Sequence, residues 1–377
     1  MVIKPFAVEE WMNAWETKAA YNIAETCVDS VSMEELFAIT GEDADAFWAS
    51  FSRRRLTYGD IVGLPELRQG IASLYTTIAE EEIVTTHGAA GANHHLFYSL
   101  VEPGDRVITV SPTYQQLISI PEGYGADLHI LKLRPENGWL PDLSELRRLA
   151  TSGTKLICIN NPNNPTGALI NSAMLEEIVE IARSVNAYLL CDEVYRNLTQ
   201  EDCESKSVAD LYEKGISVSS MSKVFSLAGI RLGWIASHDK TLRESLWSHR
   251  DYNHISCGLF DESVAALTLK HKESMLARSR GIVRANLAIL NAFVAEEKRL
   301  SYVKPFAGTT ALVHYDYNLD SYEFAKRMLQ ETGAFVTPGD CFNEPKTLRI
   351  GYACDEQTLR EGLNAMRGFL RSLEREE

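Results

Sequence analysis

Short apolar runs alternate with amphipathic stretches from about residue 80 to 236, and this alternation constrains the fold more than any other feature. Five runs are apolar and rich in β-branched or aromatic residues: DRVITVS, TKLICIN, NAYLLCDEV, GISVSS and GWIAS. Continuous apolar runs of this length are typical of parallel strands that are buried on both faces. The segment NSAMLEEIVEIARSV between two of them has the apolar spacing of a helix. The pattern predicts an α/β fold with a mostly parallel central sheet and helices on both faces.

The last hundred residues have a different pattern. YVKPFAGTTALVHYDY and KTLRIGYA are predicted to be strands of a smaller antiparallel sheet. The final segment predicts a helix with one apolar face, formed by Leu359, Leu363, Met366, Leu370 and Leu373. We therefore predict a large domain over residues 46–275 and a smaller α+β domain built from residues 1–45 and 276–377, since the aromatic-rich N-terminal segment is expected to pack with the C-terminal unit.

Length and charge exclude several classes of partner. A chain of 377 residues is long enough for two domains. Its 37 basic and 52 acidic residues give a net charge of −15, which argues against a nucleic acid or an anionic membrane as partner. No apolar run approaches the roughly 18 residues that a membrane span requires, and the N-terminus lacks the apolar core of a signal peptide. Seven dispersed cysteines without a C-x-x-C pair suggest neither a zinc site nor a disulfide framework, so a cytoplasmic location is expected.

Polar clusters follow several of the predicted parallel strands, at the sheet edge where open α/β folds bind ligands. The first, TTHGAAG, leads into a predicted helix with small residues that would let backbone N–H groups approach a phosphate. A tight strand-to-helix turn is the alternative for this stretch. The adjacent His94 and His95 would point about 100° apart on a helix, so we expect a structural function for them rather than a shared metal ion.

The next two clusters combine amides and a carboxylate. INNPNNPTGAL predicts a rigid turn after a buried strand, and the Asn164–Pro165 bond is a candidate cis peptide that would direct the Asn164 amide into the cleft. In AYLLCDEVYRNL, Asp192 follows a mostly apolar run and should be buried. A buried carboxylate is costly without a cationic partner, which could be a buried arginine or the protonated ring nitrogen of a cofactor.

The fourth cluster, SSMSKVFSLAGIRLG, contains Ser220, Ser222, Lys223 and Arg231. A surface lysine in a polar loop is one interpretation of Lys223. In the other, desolvation close to other cations lowers the pKa of Lys223, and the amine becomes a nucleophile able to form a Schiff base. The second interpretation depends on the other three clusters lying at the same sheet edge.

Together, these motifs resemble the class I/II aminotransferases, which are pyridoxal-phosphate enzymes of fold type I. The shared elements, in chain order, are Y-x4-G-x3-LR, T-x-G-A, SPTY, NNPNNPTG, CDEVY, S-x-SK-x7-R-x-G and LRIGY. They extend over roughly residues 55–355, and NNPNNPTG and S-x-SK-x7-R-x-G are the most specific. The resemblance implies the fold of a fold type I PLP-transferase, a function in amino acid metabolism, and pyridoxal 5′-phosphate as cofactor.

The resemblance also implies functions for individual residues around the cofactor ring. Lys223 would form the internal aldimine and later shuttle a proton between the substrate Cα and the cofactor. Asp192 would form a salt bridge with the pyridinium nitrogen and keep it protonated, so that the ring withdraws electrons. Asn164 and Tyr195 would donate hydrogen bonds to the phenolic oxygen, and Tyr114 would lie against the ring face.

Other residues are implied to bind the phosphate. Ser220, Ser222 and Arg231 would surround it together with the backbone amides of Ala89 and Ala90, because a dianion needs several charge-assisted donors.

Two further residues are implied to contact the partner subunit and the substrate. Tyr58 matches a tyrosine that reaches the phosphate of the neighbouring subunit, which implies a homodimer with shared active sites. Arg349 matches the arginine that binds the substrate α-carboxylate in a bidentate manner, and Asn164 is likewise expected to bind the substrate.

The N-terminal segment departs from the family pattern. Many relatives have a Gly-x-Pro-type loop that closes over the substrate, whereas the corresponding YNIAETCVDS lacks glycine. The preceding helix-like segment contains Glu9 and Glu10. These carboxylates would favour a cationic, arginine-like substrate if they line the cleft, or they form a solvated helix face.

The main functional hypothesis is an aminotransferase that moves an amino group between an amino acid and a 2-oxo acid through the Lys223 aldimine. A lyase, cyclase or oxidase that acts on a cationic amino acid is the alternative, because the same cofactor-binding residues serve those reactions. A non-catalytic binding protein on a degenerate transaminase fold is the hypothesis from another class, and the intact Lys223, Asp192 and Arg231 argue against it.

Overall fold

The computed structural model describes residues 2–203 and 206–376. Its strands, in chain order, are β1 Tyr21–Asn22, β2 Ile83–Thr86, β3 Arg106–Ser111, β4 Asp127–Lys132, β5 Thr154–Asn160, β6 Tyr188–Asp192, β7 Gly215–Ser220, β8 Gly233–Ala236, β9 Leu300–Tyr302, β10 Thr310–Tyr315, β11 Ala334–Phe335, β12 Thr337–Pro338 and β13 Thr347–Gly351. Its α-helices are α1 Ala7–Trp15, α2 Met33–Thr40, α3 Ala44–Phe51, α4 Pro65–Ala72, α5 Gly88–Leu100, α6 Gln116–Gly123, α7 Leu143–Leu149, α8 Ser172–Ser184, α9 Val208–Leu211, α10 Lys240–Arg250, α11 Leu259–Lys270, α12 Lys272–Glu296, α13 Ser321–Thr332 and α14 Glu356–Glu376. Within the described ranges, none of these helices combines the length and apolar character needed to cross a bilayer.

The large sheet has seven strands in the order β2-β8-β7-β6-β5-β3-β4. The strands from β7 to β4 pair in parallel, which confirms the predicted mostly parallel sheet. The prediction of a parallel strand at GWIAS was wrong, because β8 runs antiparallel to both β7 and β2. The short connection from β7 contains no crossover helix, and a chain that returns directly to a neighbouring position must reverse its direction.

Helices cover both faces of this sheet, as predicted. On β5, Leu156 and Cys158 belong to an apolar core on one face that includes Leu96 of α5. Ile157 and Ile159 belong to a second core on the opposite face, which includes residues of α7 and α8. Alternate residues of the strand are therefore buried on opposite sides. This double burial is the physical reason for the continuous apolar runs in the sequence.

The smaller sheet is antiparallel, with the order β12-β13-β10-β9, as the pattern of its two longer strands predicted. Helix α14 packs on the core through the predicted apolar residues, all of which are buried: Leu359, Leu363, Met366, Leu370 and Leu373. Its spacing of apolar residues therefore identified the buried face correctly.

The N-terminal segment packs against C-terminal elements. Strand β1 pairs in parallel with β11, and Trp11 Nε1 donates a hydrogen bond to the carbonyl oxygen of Val336 at 2.9 Å. Helix α1 is thereby fixed beside the smaller sheet. The domain boundaries at residues 45/46 and 275/276 stay a prediction, and the second falls within α12.

Candidate active site

A cavity of about 310 Å³ lies at the carboxyl ends of the central parallel strands. Asn160, Asp192 and Ser220 are the last residues of β5, β6 and β7, and all three line it. Eleven of the twelve predicted site residues line this cavity: Ala89, Ala90, Tyr114, Asn164, Asp192, Tyr195, Ser220, Ser222, Lys223, Arg231 and Arg349. The exception is Tyr58, which is 65% exposed and does not line the cavity of its own chain.

The amine of Lys223 is held by the N-terminal segment. Its Nζ donates a hydrogen bond to Thr26 Oγ1 at 2.6 Å and lies 3.4 Å from Cys27 Sγ. Burial opposes the charged form of this amine, whereas Cys27, Tyr195 and Glu25 favour it. The electrostatic effect of these groups outweighs that of burial and raises the pKa of Lys223. The predicted lowering of this pKa was wrong, because acidic and phenolic groups rather than other cations surround the amine.

Glu25, Thr26 and Cys27 form a short loop that sequence reasoning did not identify residue by residue. Glu25 Oε1 accepts hydrogen bonds from the backbone N–H groups of Thr26 at 2.7 Å and Cys27 at 2.9 Å. Burial opposes ionisation of Glu25, but the charge of Lys223 and these N–H groups outweigh it and lower the pKa of Glu25. The only signal in the sequence was the absence of glycine from YNIAETCVDS.

Asp192 is a buried carboxylate that has hydrogen-bond donors but no counterion among the described residues. Its Oδ2 accepts from Asn93 Nδ2 at 3.0 Å and its Oδ1 from the Val194 N–H at 3.2 Å. Burial raises the pKa of Asp192 despite these donors and the charge of Lys223. No lysine or arginine within residues 2–203 and 206–376 forms an ion pair with it. A cationic ligand in the cavity would supply the missing charge.

The adjacent Glu193 has the internal partner that Asp192 lacks. Its Oε2 lies 3.1 Å from Arg196 Nε and accepts from Ser217 Oγ at 2.8 Å, while Oε1 accepts from Ser207 Oγ at 2.9 Å. A buried arginine was one of the two partners predicted for Asp192. The structure has such an arginine, Arg196, but it pairs with Glu193 instead. The two consecutive acids of CDEVY have different environments, one internal and one on the cavity wall.

Asn93 is a second residue that sequence reasoning missed. It is buried on α5, its Nδ2 is the donor to Asp192, and its Oδ1 has no hydrogen-bond partner in the described chain. In the sequence it stands between the small residues at the start of α5 and the two histidines, and no motif marks it. Of these, His95 is buried with Nε2 2.8 Å from the Leu246 carbonyl oxygen, in line with the structural function expected for it.

The N-terminus of α5 forms one end of the cavity. The helix begins at Gly88, whose φ of +69° is in the left-handed region, and a Cβ there would lie 2.7 Å from Arg231 Nη2. A Cβ on Gly233 would lie 2.4 Å from the carbonyl carbon of Gly88. Both positions therefore require glycine for the guanidinium and the backbone to approach the helix N-terminus this closely.

Donors converge on the same end of the cavity. Arg231 Nη1 donates to the Ala228 carbonyl oxygen at 2.8 Å and to Ser222 Oγ at 3.4 Å, while Ser220 Oγ accepts from the Ser222 N–H at 3.3 Å. The free N–H groups of the first helical turn add to these hydroxyls and the guanidinium. Such a combination is suited to a phosphate.

Arg349 lies in β13, 2% exposed, on the opposite side of the cavity. Its Nη2 donates to the Ala24 carbonyl oxygen at 3.1 Å and to Thr337 Oγ1 at 3.0 Å, and its Nη1 to Asn164 Oδ1 at 3.4 Å. Its Nε has no partner in the described chain, and burial lowers the pKa of Arg349. A buried guanidinium with a free donor and no ion pair fits a carboxylate ligand. The Asn164–Pro165 bond beside it is cis, as predicted.

Two tyrosines line the space between these ends. Tyr195 is buried, and its hydroxyl makes no hydrogen bond within the described ranges. Tyr114 donates to Glu9 Oε1 at 3.0 Å, and its ring centroid lies 4.9 Å from that of Phe6. Burial and the charge of Glu9 raise the pKa of Tyr114, so the phenol remains a hydrogen-bond donor.

Helix α1 and the turn after it form the remaining wall. Its cavity-lining residues lie on one face: Val8, Glu9, Met12, Asn13 and Glu16. Of the two alternatives left open for these glutamates, cleft lining applies to Glu9, whereas Glu10 lines a separate surface cleft with Trp11 and Trp15. The exposed Glu10 fits the other alternative, a solvated helix face, because consecutive helical residues point about 100° apart.

Comparison with known proteins points to one family. The family model for aminotransferase class I and II matches residues 38–366. Capreomycidine synthase of Streptomyces vinaceus is 28% identical over 360 residues, which cover 95% of this chain and 92% of that protein. Aspartate aminotransferase of Thermotoga maritima is 29% identical over 326 residues, 84% of each chain. The crystal structure of a PLP-dependent aminotransferase from Streptococcus suis 89-1591 matches with a TM-score of 0.96 and 43% identity over 99% of both chains.

Proposed function

Since the chain belongs to the class I and II aminotransferase family, we propose that it moves an amino group between an amino acid and a 2-oxo acid. Its cofactor is pyridoxal 5′-phosphate. The observation that supports the proposal is the single cavity lined by the amine of Lys223, the unpaired carboxylate of Asp192 and the guanidinium of Arg349. These are the three charges needed to hold a cofactor, its ring nitrogen and a substrate carboxylate.

The residues at the site fit this cofactor. The buried Asp192 has no cationic partner in the described chain, which suits a protonated ring nitrogen. The donors around Arg231 suit a phosphate. They lie at the N-terminus of α5, where a side chain larger than that of Gly88 would collide with the guanidinium. When bound, pyridoxal phosphate supplies an electron-withdrawing ring that stabilises negative charge at the substrate Cα.

We assign the proton transfer to Lys223. It would hold the cofactor covalently and, when released, take and return the proton at the substrate Cα. Its contact with Thr26 Oγ1 at 2.6 Å gives the free amine a fixed position. Arg349 would orient the substrate by binding its carboxylate, and Asn164 would contact both the cofactor and that arginine.

We further propose a homodimer with shared active sites. Two segments carry exposed apolar side chains: Leu56 (84% exposed) and Tyr58 in the first, and Tyr252 (84% exposed) in the second. The two segments are adjacent, because Arg250 Nη1 donates to the Ile61 carbonyl oxygen at 2.7 Å. Together they form an apolar surface that a second copy would cover, and Tyr58 would then reach the phosphate of the neighbouring subunit. A cytoplasmic location remains part of the proposal, based on the net charge and the unpaired cysteines.

A PLP-dependent lyase, cyclase or oxidase is the second candidate function. Its support is the similarity to capreomycidine synthase over 95% of this chain. The residues that would bind the cofactor serve both kinds of reaction, so the two are separated by the fate of the amino group. A non-catalytic binding protein is disfavoured, because Lys223, Asp192 and Arg349 are all retained at one cavity.

The deciding experiment is a single-turnover reaction of the holoenzyme with a panel of amino acids. Transamination predicts one 2-oxo acid and one pyridoxamine phosphate per active site, and a 2-oxo acid added afterwards should restore the starting absorbance. Release of ammonia or of a cyclised product, with the cofactor unchanged, would favour the second candidate. Lys223→Ala is the control: reduction with borohydride should attach the cofactor to Lys223 in the wild type and to no lysine in the variant.

A further inference from the structure

We infer that the amino acid substrate has a cationic side chain, and that Glu9 and Glu16 on the α1 wall bind its positive group. The inference rests on the proposed function. It assigns a function to the one wall of that site that neither the cofactor nor the substrate carboxylate occupies. It selects two specific carboxylates and excludes Glu10, which belongs to a different cleft.

The charges on the cavity wall are the first support. Four carboxylates and three cations line it: Glu9, Glu16, Glu25 and Asp192 against Lys223, Arg231 and Arg349. In the proposed complex the cofactor phosphate and the substrate carboxylate neutralise the two arginines. The cofactor ring nitrogen neutralises Asp192.

Glu25 is already assigned within the protein. It is capped by the N–H groups of Thr26 and Cys27, and the charge of Lys223 lowers its pKa. Glu9 and Glu16 are the two carboxylates that remain. Neither forms an ion pair with a lysine, arginine or histidine in the part of the chain that the structure describes.

The orientation of the two carboxylates is the second support. Glu9 Oε1 is fixed by the Tyr114 hydroxyl at 3.0 Å, and Glu16 Oε1 by Asn22 Nδ2 at 3.0 Å. The Oε2 atom of each has no hydrogen-bond partner within the described ranges. Each side chain is therefore held by one oxygen and has the other available to accept from an ammonium or guanidinium group.

The opposite wall supplies a reference point for the substrate. Arg349 is buried and has a free Nε in the described chain, so one end of a ligand is expected to be a carboxylate there. The described arginines that line the cavity are Arg231 and Arg349. Among the described residues no third arginine lines the cavity, so the second carboxylate of a dicarboxylic substrate would face two glutamates at the α1 wall.

The test measures binding to the PLP-loaded enzyme, from the change in cofactor absorbance, for two pairs of amino acids. L-arginine is compared with L-citrulline, which has the same shape without the charge, and L-lysine with L-norleucine. We expect the cationic member of at least one pair to bind roughly three- to tenfold tighter, since Glu9 is exposed and Glu16 half-buried, and ion pairs in contact with solvent contribute less than buried ones. E9Q and E16Q should each remove most of this preference, mainly through weaker binding of the cationic member.

E10Q is the matched control, because it changes the adjacent charge on the same helix without facing the cavity. It should leave the preference at the wild-type value. Glutamine retains an acceptor for Tyr114 and Asn22, and thermal unfolding of each variant checks that the fold is kept. Equal binding within both pairs in the wild type, or E9Q and E16Q variants that keep the full preference, would overturn the inference.

The same samples separate the inference from the proposed function. A glutamate-dependent preference for a cationic amino acid, combined with ammonia release or a cyclic product instead of a 2-oxo acid, would support the inference and reject the aminotransferase. Formation of a 2-oxo acid from neutral and cationic amino acids alike, without a binding preference, would do the reverse.

Discussion

Lys223 Nζ and Thr26 Oγ1 lie 2.6 Å apart although 197 positions separate them in the chain. The amine belongs to the loop after β7, at the edge of the large sheet, while the hydroxyl belongs to the N-terminal segment. Thr26 is buried, and Cys27 beside it lies 3.4 Å from the same nitrogen. The N-terminal segment thus positions the amine that we assign to catalysis.

Thr26→Val should lower kcat about tenfold with a small effect on KM. The isosteric change removes the acceptor of a hydrogen bond from a charged amine, and such bonds contribute roughly 1.5–3 kcal/mol. Steady-state kinetics over a range of pH tests this, because the pH profile also reports the altered ionisation of Lys223. Thr26→Ser restores the hydroxyl and should retain most of the activity. A Thr26→Val enzyme with wild-type kcat and pH profile would show that the contact has no function in the reaction.

Asp192→Asn should weaken cofactor binding without loss of stability, whereas Glu193→Gln should lower stability with little change in cofactor binding. Asp192→Asn removes the charge that we assign to the ring nitrogen, so cofactor affinity should fall by roughly 3 kcal/mol or more. The cofactor-free protein should be as stable as the wild type, because burial already disfavours the ionised form of Asp192.

Glu193→Gln instead breaks the buried pair with Arg196, whose Nε lies 3.1 Å from the carboxylate. The cofactor-free protein should lose about 3 kcal/mol of unfolding free energy, and cofactor affinity should change little. Titration with pyridoxal phosphate and urea denaturation measure the two effects. Equal losses of affinity in both variants would argue against a special function for Asp192.

Gly88→Ala should weaken cofactor binding about tenfold or more. Alanine is strained at a φ of +69°, at a cost of roughly 1–2 kcal/mol, and its Cβ would lie 2.7 Å from Arg231 Nη2. Gly91→Ala, one turn further along the same helix, is the control, since its Cβ would meet His87 Cβ at an ordinary 3.6 Å. Fluorescence titration with pyridoxal phosphate compares the two. Similar affinities for both variants would contradict a close approach of the phosphate to Gly88.

The stability of the protein should fall as the pH drops below about 6.5, and His254 should contribute to the fall. Burial, together with the nearby Arg250, His87 and His95, lowers the pKa of His254 to about 4. The unfolded chain binds the proton at about pH 6.5, so this contribution is complete above that pH and is lost towards pH 4. Thermal unfolding at pH 7.5 and 5 measures the decrease, which His254→Gln should make smaller. An unchanged decrease in the variant would assign the effect to other groups.

The fold could be predicted where local pattern and burial agree. The apolar runs of β5, β6 and β7 identified strands covered on both faces, and the apolar face of α14 was correct residue by residue. The direction of β8 could not be predicted from its composition, because an apolar run has the same appearance in parallel and antiparallel pairs. The connection from β7 to β8 contains one short 3-10 turn at Ala228–Ile230 and no α-helix that could cross over the sheet, and this accounts for the antiparallel direction.

The sequence predicted those site residues that come directly after a strand of the large sheet. Contacts that join distant parts of the chain were missed: Asn93 donates to Asp192 across 99 positions, and Arg349 to the Ala24 carbonyl oxygen across 325. The pKa of Lys223 was mispredicted for the same reason, since Cys27 and other groups that raise it arrive from remote segments.

The division of the cavity between the sheet edge and α1 has a consequence for redesign. The groups assigned to the cofactor sit at the carboxyl ends of the parallel strands, in the loops after them and at the start of α5, whereas the α1 wall consists of one short helix and the turn after it, tied to the smaller sheet through Trp11. Exchanging residues of α1 alone could therefore retarget the enzyme to new amino acids while its reactive centre stays intact.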